Sequence, residues 1–155
     1  MTDHTEIITF TVPISFEAHS IAETLCQQLC HPDRARQVYL NTLAVYAVDV
    51  YLRCMGIETD WPASDSRNPL IVEVMDVADL KIKPDFRLEC RPVLADMTTC
   101  PIPAEAQSDR VGYVIVQISQ SLKQATLLGF VKEPSAQLPL TQLQPLDNIF
   151  QYFQP

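Results

Sequence analysis

The spacing of apolar residues changes twice along the chain, from alternation to a helical repeat and back to alternation. The opening "EIITFTVPIS" alternates and is rich in β-branched residues, which predicts a strand over Ile7–Val12 that Pro13 ends. Ser15 suits a helix N-cap. In "FEAHSIAETLCQQLCH" the apolar residues Ile21, Leu25 and Leu29 recur every four positions, so one stripe of a helix is apolar. A break follows at His31-Pro32. Proline fits a first helical turn, and Asp33 complements the positive end of the helix dipole there.

The second helix is expected to run through "QVYLNTLAVYAVDVYLRCMG" to about Met55, with Gly56 as its stop and Arg53 in its last turn. From Val38 to Leu52 only Asn41, Thr42 and Asp49 are strongly polar. A helix apolar on nearly every side is a buried one, so this segment is expected at the centre of the molecule. Tyr39 and Tyr46 share a face, and each hydroxyl needs a partner or the surface.

Beyond it, "IETDWPASDSRNPL" is dense in turn-forming residues. Leu70–Met75 and Leu80–Ile82 read as strands, or as one strand with a bulge, "PD" turns the chain, and "FRLECRPVL" alternates as another strand. "ADMTTCPIPAEAQSD" reads as a connection. "VGYVIVQIS" and "QATLLGFVKE" flank "QSLK" as an antiparallel hairpin, with both faces of the first run partly covered. "LPLTQLQPL" is edge-like because its prolines cannot donate to a ladder. "LDNIFQYF" is expected to form a short terminal helix or turn. The sum is one α+β domain over residues 1–155. An N-terminal strand and two helices, the second central and buried, pack on a mostly antiparallel curved sheet or small barrel.

Composition narrows the function classes. The 155 residues carry 11 basic and 19 acidic side chains, a net charge of −8 with no basic cluster, which disfavours nucleic-acid binding by direct electrostatics. Three glycines are too few for a glycine-rich phosphate cradle. No uncharged apolar run reaches the roughly 18 residues of a membrane span, and the N-terminus lacks the pattern of a secretory signal. A cytoplasmic protein with five reduced cysteines is the expectation, and no cofactor is implied.

Four sets of residues invite a chemical reading, each beside a structural one. Cys26 and Cys30, with adjacent His31, would share a helix face and contribute to a zinc site, or they are simply core thiols. Asp85 and Glu89 lie four apart on "KPDFRLECR" and could share a sheet face near a magnesium ion, or form the charged outer side of a strand. Asp49 and Arg53 are spaced for an i,i+4 ion pair, with Asn41 about 80° away around the helix, and the three could line one edge of a pocket, or they satisfy neighbouring backbone groups and meet solvent on a narrow exposed stripe. Trp61, the single tryptophan, stands in a loop with Asp65, Arg67 and Asn68, a composition found in recognition loops as well as in ordinary turns. No nucleophile elbow or Cys–His protease spacing is present.

The segments "QVYLNTLAVYAVDVYLRCMGIETDWPASDSRNP", "ADLKI", "LECRPV" and "DRVGYVIVQISQSLKQATLLGFV" resemble a cyanobacterial family known only as a domain of unknown function. The resemblance spans about residues 9–150. It implies a cyanobacterial, cytosolic protein and lends no catalytic residues. The expected function is that of a non-catalytic regulatory or adaptor domain that binds another protein through Trp61, Asp65, Arg67 and Asn68, together with Arg91 and Arg110, with a homo-oligomer possible. The alternative is a small metal-dependent or small-molecule enzyme using Asp49, Asp85 and Glu89.

Overall fold

The computed structural model describes residues 8–153. Strand β1 (Phe10–Pro13) keeps Pro13 at its end, and Ile7 of the expected strand lies outside the described residues. Helix α1 (Phe16–Cys26) is capped as expected: the Ser15 hydroxyl accepts from the Ala18 N–H. It stops at Cys26, earlier than the sequence suggests. Leu29 and Cys26 turn inward there, onto a small apolar cluster of Leu25, Val38 and Val72.

Helix α2 (Pro32–Cys54) begins at the expected proline, with His31 as its N-cap. Gly56 follows it with φ +81°, the left-handed turn that glycine adopts without strain. Val38, Leu43–Val45, Ala47, Val48, Tyr51 and Leu52 are all buried, so α2 is covered along most of its girth. Helix α1 and strands β4 (Phe86–Val93), β6 (Gly112–Ile118) and β7 (Gln124–Val131) pack on it.

The main sheet has six strands in the order β1-β7-β6-β4-β3-β2, where β2 is Thr59–Asp60 and β3 is Asp79–Ile82. Its pairings are antiparallel except β4 with β6, which run parallel from Leu88↔Gly112 to Val93↔Gln117. The connection between β4 and β6 is not wholly irregular. It holds β5 (Thr99–Pro101), which pairs with β8 (Gln137–Pro139) in a separate two-stranded sheet. The segment 146–152 forms 3₁₀ turns.

Strand β6 is covered on both faces, as its double alternation predicts. Val114, Val116 and Ile118 join the core under the helices. Tyr113 and Ile115 join a second cluster with Val93, Cys100, Ile102, Val131 and Leu138 on the β5/β8 side. Gly112 opens β6 against Phe130, and a Cβ there would lie 2.1 Å from the Phe130 ring. Gly112→Ala is therefore expected to lower stability by about 1–3 kcal/mol through overpacking, measured by urea unfolding.

Leu70–Met75 is a correction. Pro69–Val74 is a short helix, α3, and not a strand. Asn68 accepts from the Leu70 N–H as its N-cap, and Pro69 occupies the first turn, the same signal that starts α2. The Gln28 amide donates to Pro69 O, and the Arg34 guanidinium donates to Val72 O and Met75 O, which holds α3 against the start of α2.

Candidate functional site

The Trp61 loop is tied to the sheet by buried hydrogen bonds and ion pairs. Asp79 on β3 is fully buried and accepts from the N–H groups of Ser66 (2.7 Å) and Asp65 (3.2 Å). Its other bond is from Arg87 Nε at 3.0 Å. Arg87 in turn reaches Asp65 at 2.5 Å and Asp109 at 3.4 Å. Burial lowers the Arg87 pKa, but Asp79, Asp65 and Asp109 more than offset it and leave it raised. The Arg67 guanidinium lies over the Trp61 ring, 4.6 Å from its centre. Trp61 itself is buried, beside Tyr46, with its indole N–H unpartnered among the described residues.

Of the six expected contact residues, Asp65 and Arg67 are half-buried and Asn68 is exposed. The other three face inward. Arg91 is 2% exposed, the Arg110 side chain 2% and Trp61 5%. Arg91 donates to both oxygens of Asp76 at 3.1 Å and to Glu89 at 3.2 Å. Arg110 donates to the second Glu89 oxygen at 2.9 Å, and the Ala78 N–H donates to Glu89 at 2.8 Å. Asn41 on α2 donates to Asp76 and accepts from Gln37. This network bolts α2, the approach to β3, and strands β4 and β6 together. Sequence reasoning assigns isolated arginines to the surface, where most of them are found, and so missed it.

Burial pushes the Asp76 carboxyl up, but Arg91, Asn41 and Arg34 outweigh it and hold its pKa below the ordinary value. Glu89 moves the other way, because burial exceeds the help of Arg91 and Arg110. A depressed carboxylate adds stability above its unfolded pKa, and that stability is lost as pH falls through the lower folded value. Asp76→Asn should thus reduce stability at neutral pH and flatten the loss below about pH 4, read from melting temperatures across the acid range.

The carboxylates of the enzyme reading do not gather in one place. Asp49 is buried, accepts from the Thr59 hydroxyl and pairs with Arg53 at 3.7 Å, the expected i,i+4 geometry. Glu89 is buried in the arginine network. Asp85 is exposed at the β3–β4 turn, in a polar cleft of about 680 Å³ shared with Lys81, Lys83 and Asp109. The cysteines are likewise apart. Cys26 donates to Ala35 O at 3.1 Å with its thiol pKa raised by burial, while Cys30 lies beyond the end of α1 and is exposed. Among the described residues no group of three His, Cys, Asp or Glu is placed to hold a metal ion, and no helix is long and apolar enough to cross a membrane.

Two further surfaces are open among the described residues. One is the outer side of α3, where Leu70 and Val74, one helical turn apart, are 73% and 76% exposed. Arg67, Asn68 and Glu73 border it. The other is a cleft of about 750 Å³ between α2, the end of α1 and the loops that follow β4 and β6. Its walls include Tyr39, Leu40, Leu94, Ile118 and Leu122. His19 fixes one wall: its Nε2 donates to Leu122 O at 2.9 Å. In the neutral ring Nδ1 then accepts from the Tyr39 hydroxyl at 2.6 Å.

No curated protein and no solved structure is matched by this chain. A family model described as "Protein of unknown function (DUF1822)" matches residues 12–155, nearly the whole sequence, and the chain belongs to that family.

Proposed function

We propose that the protein is a non-catalytic regulatory or adaptor domain whose α3 face binds another protein. The observation that carries this reading is the pair Leu70 and Val74, apolar, adjacent and exposed on a helix that the rest of the molecule holds in place. Exposed apolar patches with polar rims are where proteins meet. Arg67 and Asn68 supply that rim, so the loop singled out by sequence remains part of the surface, with Asp65 at its inner edge. Trp61 supports the loop from below, and Arg91 and Arg110 support the sheet behind it. A cyanobacterial origin and a cytoplasmic setting belong to the same reading, as does self-association through this face. The test is affinity capture from the native host with wild type, with Leu70→Ser/Val74→Ser and with Arg67→Ala. Loss of the same partner from the first variant, and its weakening in the second, is expected. Partners retained at wild-type strength by both would remove α3 as the site.

The enzyme reading keeps one observation in its favour, the polar cleft containing Asp85, Lys81 and Asp109. It would require a reaction that uses exposed charges without Asp49 or Glu89.

A further inference from the structure

We propose that the cleft between α2 and the ends of β4 and β6 is a binding site for a small zwitterion with an apolar body, such as an amino acid or dipeptide with large aliphatic or aromatic side chains. The site is distinct from the α3 face and goes beyond the protein-binding reading. It lies where the carboxyl ends of the one parallel strand pair among the described residues diverge. The last register pair is Val93↔Gln117, and residues 94–96, 118–120 and 122 form the cleft's rim directly after it. Here β4 leads away toward β5 and β6 leads into the hairpin with β7.

The volume of about 750 Å³ falls in the usual range for small-molecule sites, about 300–1,000 Å³. The lining has the matching chemistry, mostly apolar with few polar groups. Leu40, Leu94, Ile118 and Leu122 supply aliphatic contacts and Tyr39 an aromatic ring. The tyrosine hydroxyl is already engaged by His19, which leaves the ring held as a wall.

Two charges border the apolar surface from different elements, Arg36 on α2 and Asp96 in the loop after β4. Both are exposed, and neither has a salt-bridge partner among the described residues. They do not satisfy each other. A ligand with one charge would leave the opposite residue unused or repelled. A ligand with a carboxylate for Arg36 and an ammonium for Asp96 uses both, while its side chains cover the apolar walls.

Calorimetric titration of the full chain with leucyl-phenylalanine, its N-acetyl form and its C-terminal amide tests the assignment. The free dipeptide should bind with saturation, and each blocked form should bind about tenfold more weakly, the scale of one charge-assisted contact. Arg36→Gln should erase the penalty of amidation, and Asp96→Asn that of acetylation. Both residues are exposed, so these variants are expected to fold, and Ala35→Trp should fill the cleft and abolish binding. Leu70→Ser/Val74→Ser should bind the dipeptide as wild type does, which separates this site from the α3 face. No saturable binding, equal binding of all three ligands, or full binding by folded Ala35→Trp would each overturn the proposal.

Discussion

Arg91→Met should lower the unfolding free energy by about 3–5 kcal/mol, the usual cost of removing one partner from a buried ion pair. Methionine keeps most of the apolar stem, so the loss is chiefly electrostatic. Without Arg91, Asp76 keeps only Asn41 and the more distant Arg34, and Glu89 keeps Arg110 and the Ala78 N–H. A second variant separates charge from shape. Arg91→Met/Asp76→Asn removes one cation and one anion together and leaves Glu89 paired with Arg110, and it should recover a good part of the loss, because neutral replacement of a buried ion pair is often tolerated. Urea midpoints of the two variants, taken side by side, are the measurement. A double variant no more stable than the single one would mean that Arg91 acts through packing alone.

Asp79→Ala is expected to cost about 2–4 kcal/mol, since it leaves one buried and one half-buried N–H group without acceptors and takes one carboxylate from Arg87. Its effect is also local. Asp79 is what fastens residues 65–67 to β3, so amide exchange should rise first in that loop and in α3 beside it. If the α3 face binds a partner, affinity should fall in Asp79→Ala although the residue never reaches the surface. Uniform loss of protection across the sheet, with the loop no worse than the rest, would contradict this division of labour.

Much of the architecture could be read from residue spacing. The apolar run Val38–Leu52 announced a wrapped central helix, Ser15 and Pro32 marked the two helix starts, and the double alternation of β6 foretold a sheet covered on both sides. The misread element, α3, is instructive. Its "LIVEVM" favours a strand by composition, but the preceding Asn68-Pro69 carries the cap and first-turn signal of a helix, and the local cap prevailed. The parallel pairing of β4 with β6 was not visible, because strand direction depends on the long connection between them and not on either strand's pattern. The buried arginines escaped for a different reason. Glu89 and Arg91 sit two apart on β4, a spacing equally compatible with a solvated face, and only the fold reveals that Asp76 and Arg110 arrive from elsewhere to neutralise them.

The pairing of β1 with β7 sets the order in which the chain can be completed. Thr11 and Thr126 meet across the ladder although 115 positions separate them. At translation rates of about 5–20 residues per second, the first strand leaves the ribosome on the order of ten seconds before its neighbour exists. Throughout that interval its backbone donors and acceptors have only water or another nascent chain to bond. The sheet therefore closes only once β7 has been made, and any stop codon upstream of β7 yields a product with an unprotected β-edge and a strong tendency to aggregate.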